Sequence, residues 1–533
     1  MNPMKFLSLP ATAFAALLGA QDPTPATARQ PDLVVEVAGP ARWQSLVRPT
    51  NLGTLLGSEE GAKAFAPLVT ALESQWALFG AKGPTEVRQR MLGYAGTLQI
   101  LAWYRMDDLA EESAEFMLLA GPDGSTDLDL LGADLATVTE QAESGWTVGA
   151  PVRIGGSIGV PVSRTADLER CLTLGRAHGD GKGAAGTTSD APVLARLRWN
   201  VATTYDSWRE THPDEDEPPR SLGLASIDAV ELTLAPTGPH LRGEFTLQFR
   251  STDRGILGAM FPEQPGLPRL ARAVTASATP WNVSRFDFAG FYRAVTGSIA
   301  EAMEQPVEKF ETEVEQEVGM NPAALFEALD GEVMLLGDAF GMDEEDEEAV
   351  SAIAVGLRDR KAFVAALEDL LRVGKGTINV LDRKERDGVL RMRIGSGIGI
   401  AAQVRVGADH MLIVFNDRSG EQADAMQAAI AAADGKPSLP TAVTNALDQA
   451  PPGHHGTGML SVTALLRRQL GLLEDLANEG PFGAILGAEM SGSIELDTAQ
   501  VRAVLPLLEK HGMQDIVSLS GCADGRYVLR IIW

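Results

Sequence analysis

Two long stretches of the sequence match each other and decide the fold. Residues 96–138 read GTLQILAWYRMDDLAEESAEFMLLAGPDGSTDLDLLGADLATV, and residues 331–373 read GEVMLLGDAFGMDEEDEEAVSAIAVGLRDRKAFVAALEDLLRV. Each contains an apolar strand, an acidic turn, a second apolar strand and an amphipathic helix. Further on, RIGGSIGV at 153–160 matches RIGSGIGI at 393–400, and the offset between the copies moves only from 235 to 240. This pattern favours an internal duplication over a chance similarity of two α+β segments.

The flanks of both stretches extend the match. A strand leading into a helix is predicted at 33–37 and again at 282–287, and a closing strand pair at 227–234 with 241–249 and at 516–519 with 526–532. Ala-Asp-Gly at 523–525 suits the tight turn of the last pair. Prolines between 262 and 280 mark a boundary. We therefore predict an α+β fold of two similar tandem domains, 32–270 and 271–533, each a mostly antiparallel sheet with helices packed on one face.

The N-terminus is typical of a secretory signal peptide. Residues 1–20, MNPMKFLSLPATAFAALLGA, place Lys5 before a short apolar stretch that ends in small residues. The alternative is a buried N-terminal helix. Residues 21–31 are rich in Pro, Thr and Ala and predict a flexible leader. No later stretch is long and apolar enough to cross a membrane, so we expect an exported protein, periplasmic or extracellular and soluble once the signal peptide is removed.

Composition excludes several classes of function. The 533 residues carry a net charge of −27, and removal of residues 1–20 takes away one Lys and no acid, which leaves −28. So acidic a surface repels phosphate backbones, which argues against nucleic acid as a partner. The two cysteines, Cys171 and Cys522, are too few for a disulfide framework or a four-thiolate zinc site. We expect isolated buried thiols, with pairing left open.

Local signals predict two capped helices and two insertions. Ser58 is the predicted N-cap of a helix from Glu59 to about Phe79, and Asp359 caps a helix over 361–373. The glycine-rich segment 175–190 predicts a loop, and the charged segment 212–219 predicts an exposed insertion.

One catalytic motif occurs, at residues 155–159. Gly-Gly-Ser-Ile-Gly satisfies the G-x-S-x-G nucleophile elbow with Ser157 as nucleophile. That chemistry needs a helix after the serine, whereas Val160-Pro161-Val162 predicts a strand, and the matching Ser396 lies one position earlier in its copy. A glycine-rich turn is therefore the favoured interpretation.

No other motif specifies a cofactor or a metal. Gly181-Lys182 and Gly374-Lys375 both lack the hydroxyl residue that a phosphate loop requires next. The acid run 343–348 contains no glycine for a calcium-loop turn, so a solvated hairpin tip is expected. The seven histidines form no helical H-x-x-x-H pair. We therefore assign no catalytic, cofactor-binding or metal residue.

The strand–helix start at 283–288, VSRFDF, and the ending DGRYVLRI at 524–531 resemble a family of exported bacterial proteins of unknown function. The resemblance implies no chemistry for any residue. From the residues themselves we expect a non-catalytic exported protein that binds a partner protein or an apolar ligand between sheet and helices, without a cofactor. The alternatives are an exported serine hydrolase that uses Ser157 and a structural envelope protein.

Overall fold

A computed structural model gives the fold of the chain. The predicted signal peptide at 1–20, the predicted insertion at 212–219 and the predicted hairpin tip at 343–348 lie outside the residues that it describes. The described residues are 30–66, 85–105, 113–142, 146–163, 168–178, 192–211, 222–274, 280–337, 351–374, 378–396, 401–415, 417–432, 437, 439–467, 470 and 498–533.

Nineteen strands of the described residues form one continuous antiparallel sheet. In chain order they are β1 (Leu33–Ala38), β2 (Thr97–Arg105), β3 (Ser113–Ala120), β4 (Thr147–Val148), β5 (Val152–Ile154), β6 (Ser157–Ser163), β7 (Ala195–Trp199), β8 (Ile227–Thr237), β9 (His240–Phe249), β10 (Trp281–Arg285), β11 (Leu329–Leu336), β12 (Ser351–Leu357), β13 (Ile378–Arg386), β14 (Val389–Ser396), β15 (Ala401–Val406), β16 (His410–Phe415), β17 (His454–Ser461), β18 (Asp515–Ala523) and β19 (Arg526–Ile532).

Helices connect the strands. Those of the described residues are α1 (Pro40–Val47), α2 (Asn51–Gly57), α3 (59–66), α4 (Thr85–Gly93), α5 (Leu128–Ala142), α6 (Leu168–Ala177), α7 (Val201–Thr211), α8 (Gly255–Met260), α9 (Phe288–Ala302), α10 (Val307–Val318), α11 (Pro322–Glu327), α12 (Arg360–Val373), α13 (Glu421–Ala431), α14 (Thr441–Ala446), α15 (462–467) and α16 (Thr498–Lys510). None of these described helices is long and apolar enough to cross a membrane.

The strands on either side of the central pair β9–β19, which we call the seam, follow one another in a corresponding order. From β9 outward the order is β9-β8-β7-β1-β2-β3-β6, and from β19 outward it is β19-β18-β17-β10-β11-β12-β16. The seam is the antiparallel pair β9–β19, whose register runs from Gln248 opposite Arg526 to Arg242 opposite Ile532. One sheet therefore spans both predicted halves.

The matched strings 153–160 and 393–400 do not occupy equivalent places. The first covers β5 and β6, and β6 pairs with β3. The second begins in β14, which pairs with β13 and β15, while the strand beside β12 is β16. The match between the two strings therefore does not align equivalent strands, because the described part of each string lies at a different position in the strand order.

The expectation that helices lie on one face of each sheet is wrong, because they lie on both. Alternate residues of β3 face opposite sides, since side chains alternate along a strand. Phe116 and Leu118 pack in the cluster of α5, whereas Met117 and Leu119 pack with α6. In the second half α12 packs with Met411 and Ile413 of β16, while α13 packs against Leu412 and Val414.

Several local predictions are confirmed. The Ser58 hydroxyl accepts from the Gly61 amide at 3.0 Å, and the Asp359 carboxylate accepts from the Ala362 amide at 3.0 Å. Of the helix predicted from Glu59 to about Phe79, the structure describes residues 59–66, which form α3. The predicted loop at 175–190 is wrong at its start, since α6 continues to Ala177 with Leu174 and Gly175 buried, and residues 179–190 lie outside the described chain.

Candidate functional site

The two faces of the sheet differ near the seam. On one face, charged side chains pair across strands: Arg530 donates to Glu244 at 2.7 Å, and Arg196 lies 3.4 Å from Glu231. On the other face, Leu232 is 47% exposed and Leu335 is 41% exposed. Around Leu335 this second side, which we call the open face, also carries the half-buried side chains of Leu460, Ile516 and Ile531. A contiguous apolar patch of this kind marks a candidate binding surface.

A straight row of residues crosses the open face. Cross-strand neighbours share a face, so the pairings of β11, β10, β17, β18, β19 and β9 place six residues in line. They are Leu335, Asn282, Gly458, Ser518, Ile531 and Gly243. We call this set the transverse row. Small or polar residues occupy its centre, Leu335 and Ile531 lie on either side of them, and Gly243 ends the row.

A cavity of about 370 Å³ lies over the transverse row. Leu335 and Ile531 of the row line it, together with Leu460 and Ile516 of the neighbouring strand positions. Trp281 and Met459 border it from strands β10 and β17, and both belong to the core cluster on the opposite face. We call this cavity the trough. It is apolar along its walls and carries two polar side chains, Asn282 and Ser518.

The glycine at the centre of the transverse row is closely surrounded by its neighbours. A Cβ at Gly458 would lie 2.8 Å from Ser518 Oγ, 2.9 Å from Asn282 Nδ2 and 2.8 Å from the Trp281 carbonyl oxygen, all too close for a real side chain. At the far end of the row, the ring of Trp533 lies 3.5 Å from where a Cβ of Gly243 would sit, an ordinary van der Waals contact. Trp533 packs there with Leu241 in a covered cluster.

A second polar cluster lies away from the trough, around Arg269. Its backbone N–H donates to Glu332 at 2.9 Å, and its guanidinium donates to Asp330 at 2.5 Å and to Asp409. Burial opposes the charge, but the three carboxylates hold the pKa of Arg269 above its usual range. Asp409 in turn contacts His410 Nδ1 at 2.8 Å. All these groups are partnered, so the cluster ties the segment after β9 to β11 and β16 rather than offering free groups to a ligand.

Ser157 does not sit on a nucleophile elbow. Gly155, with φ of 58°, and Gly156 form the turn between β5 and β6, and Ser157 is the first residue of β6. A strand therefore follows the serine where the hydrolase chemistry requires a helix. The sequence preference for a turn at this motif is confirmed.

The remaining sequence candidates are dispersed. Cys171 and Cys522 are both buried free thiols, as predicted, and Cys171 Sγ donates to the Phe116 carbonyl at 2.8 Å. Within the described ranges no group of three His, Cys, Asp or Glu side chains is placed to hold a metal ion. His454 Nε2 lies 3.0 Å from the Gly456 carbonyl, and the adjacent His455 is buried.

Buried His455 makes stability depend on pH. Its side chain is 2% exposed, its Nδ1 has no hydrogen-bond partner in the described chain, and burial lowers its pKa from 6.5 to about 4. As the pH falls, His455 is therefore protonated at a higher pH in the unfolded chain than in the folded chain. Above the unfolded-state pKa of about 6.5 the ring is neutral in both states, and its full contribution to stability is present. This contribution is lost as the pH falls from about 6.5 towards 4.

We expect His455→Gln to flatten that dependence. Relative to its own value at pH 7.5, the wild type should lose up to about 2 kcal/mol more unfolding free energy at pH 5 than the variant. Urea unfolding at both pH values measures the difference. Parallel losses in the two proteins would show that His455 has an ordinary pKa.

The trough was not predicted from the sequence. A readable signal existed in the spacing of small residues: Gly456 and Gly458 alternate in β17, and Ser518 and Ser520 alternate in β18. Residues two apart lie on the same face of a strand. Of these four residues only Ser518 lines the trough, so the pattern indicates this part of the sheet and not the trough itself.

Comparisons with known proteins add little. No protein-family model matches the chain, and the search of curated proteins gives no match. A solved structure reported as "Structure of crystal form III of TP0453" aligns with 43% of this chain and 80% of its own, with 10% identity and a TM-score of 0.18. So low a TM-score carries no argument about fold or function.

Proposed function

We propose that the protein is a non-catalytic binding protein that holds the acyl chain of a lipid on the open face of its sheet. The observation that carries the proposal is the trough, a cavity of about 370 Å³ walled by Leu335, Leu460, Ile516 and Ile531. Small-molecule sites measure about 300–1,000 Å³ and are mostly apolar with a few polar groups. The trough has this volume and this composition.

The shape of the trough favours a long, thin ligand. From Leu335 to Ile531 it crosses five strands, which at about 4.8 Å between neighbours is roughly 19 Å. A chain lying along the transverse row would cover apolar side chains of several strands at once. Each methylene removed from water stabilises a complex by about 0.8 kcal/mol.

Two proposals accompany this function. The order of strands on either side of the β9–β19 seam supports two similar tandem α+β halves, with a boundary between β9 and β10 near residue 270. The signal-peptide pattern of residues 1–20 supports export. An exported carrier of lipid chains would meet its ligands in the cell envelope.

The length of the ligand's acyl chain provides the test. We expect the affinity for neutral acyl methyl esters to rise with each added methylene, by up to about fourfold per group, until the acyl chain is longer than the trough. Isothermal titration calorimetry of a series from eight to eighteen carbons would measure it. Absence of binding across the series would overturn the proposal, and retention of a protein but no lipid in envelope extracts would favour a partner protein instead.

A further inference from the structure

We propose that the protein forms a two-fold symmetric dimer in which strand β13 (Ile378–Arg386) pairs antiparallel with β13 of a second copy. This contact is independent of acyl binding and lies at the end of the second half that is farthest from the seam. There the strand order continues from β12 through β16, β15 and β14 to β13. The dimer joins the sheets of two copies into one.

Strand β13 is an open edge of the sheet. Among the described strands it pairs with β14 alone, and every residue from Asn379 to Gly388 is exposed. An edge strand presents a row of unpaired backbone N–H and C=O groups, which is a template for another strand. At the opposite end of the described sheet the outermost strands, β4 and β5, have only two and three residues, whereas β13 has nine. Of these two ends, the one at β13 therefore offers the longer edge.

The turn after β13 determines which of its backbone groups point outward. Asp387 and Gly388 both have positive φ, 54° and 74°, which is typical of a two-residue type I′ hairpin turn. The residues that flank such a turn form a hydrogen-bonded pair, and non-hydrogen-bonded and hydrogen-bonded pairs then alternate along the two strands. Arg383 and Glu385 belong to non-hydrogen-bonded pairs, so their N–H and C=O groups point away from β14.

This backbone pattern leaves three antiparallel registers near the middle of the strand. Outward-pointing residues must lie opposite one another, so Arg383 meets Arg383, Glu385 meets Glu385, or Arg383 meets Glu385 of the second copy. The first two registers place like charges directly opposite each other, which is destabilising, whereas the third places opposite charges there twice. The third also brings Asp382 opposite Arg386 of the second copy, again twice. Lys384 then lies opposite its own copy on the two-fold axis, 2.8 Å from the compensating Asp382 of its own chain.

Ion pairs with helix α12 continue the charge pattern on one face of β13. Arg360 donates to Glu385 at 2.9 Å, and Glu368 accepts from Arg383. In the selected register these pairs join into a row of alternating sign, from Arg360 and Glu385 of one copy to Arg383 and Glu368 of the other. Charge complementarity of this kind identifies a second copy of this chain as the partner that fits the edge.

Lys384→Cys tests the register directly. Opposed residues of a non-hydrogen-bonded pair have Cα atoms about 4.5 Å apart, which is within the range for a disulfide. We expect this variant to form a disulfide-linked dimer under mild oxidation, measured on non-reducing gels and by intact mass. Arg386→Cys, similarly exposed on the same face, is the matched control and should cross-link at least about tenfold more slowly, because residue 386 lies opposite residue 382. The native thiols of Cys171 and Cys522 are buried and do not compete.

Glu385→Pro tests the backbone contact. Proline removes an N–H that points away from β14, so the dissociation constant of the dimer should rise at least about tenfold while the β13–β14 hairpin stays intact. Glu385→Ala keeps the N–H and should raise the dissociation constant by no more than about fivefold. Sedimentation velocity of the full chain over a range of concentrations measures these constants, and thermal unfolding of each variant checks the fold.

Three results would each overturn the dimer. They are a wild type that sediments as a monomer at every concentration, equal cross-linking of the two cysteine variants, and a dimer of unchanged affinity in Glu385→Pro. A proline variant with a damaged fold would leave the two cysteine variants to decide, since both substitutions lie on exposed side chains. Acyl binding by the monomer would be unaffected by any of these results.

Discussion

Leu335→Glu is expected to weaken acyl-ester binding by about 2–3 kcal/mol, a loss of roughly 30- to 150-fold in affinity. Leu335 ends the transverse row and lines the trough, so a carboxylate there would face the ligand's apolar chain. Because the leucine is already 41% exposed, the substitution should change the stability of the fold little. Titration calorimetry with one ester measures the affinity.

Leu381→Glu is the matched control for this variant. Leu381 is 59% exposed on strand β13, far along the sheet from the trough. The Leu381→Glu variant carries the same leucine-to-glutamate change at a site without a role in binding. Its affinity for the ester should therefore equal that of the wild type. Equal losses in both variants would mean that added negative charge, and not the trough, governs binding.

Arg269→Ala is expected to lower the free energy of unfolding by about 2–3 kcal/mol. Truncation removes the guanidinium that pairs with Asp330, Asp409 and Glu332, and Glu332 is only 3% exposed. Glu332 keeps the backbone N–H of residue 269 and a longer contact of 3.5 Å to Arg285, so its buried carboxylate is compensated less well than in the wild type. Urea denaturation at pH 7 measures the loss.

The control for Arg269 is Arg383→Ala, which breaks the ion pair with Glu368. The side chains of Arg383 and Glu368 are both about half exposed, and surface ion pairs of this kind contribute about 0–1 kcal/mol to the free energy of unfolding. A similar small loss in Arg269→Ala would show that water replaces the guanidinium at Glu332. The cluster would then not be what anchors the segment after β9.

Hairpins were predictable because turn chemistry is local. Asp524 and Gly525 both have positive φ, 51° and 73°, which is the conformation that a two-residue turn of this kind requires. The apolar runs on either side then specified β18 and β19. In the same way the side chains of Asp359 and Ser58 marked helix starts, since a cap needs only its own helix.

Sheet faces and long-range neighbours were not predictable in this way. Helical periodicity identifies the buried stripe of α5 or α6, but not which side of β3 that stripe will cover. The pairing of β9 with β19 joins strands almost 300 residues apart, and no local pattern encodes it. The trough is built by five strands of the second half beside this seam, so its residues become neighbours only after the sheet has formed.

Photo-crosslinking tests the acyl-binding proposal most directly. An acyl methyl ester with a diazirine near its terminal methyl group would be irradiated with the full chain, and the labelled peptides identified by mass spectrometry. The proposal predicts labels on the strands of the trough, at or beside Leu335, Leu460, Ile516 and Ile531, and their loss when excess unlabelled ester competes. Labels spread over other surfaces, or labels in the trough that competition does not remove, would contradict it.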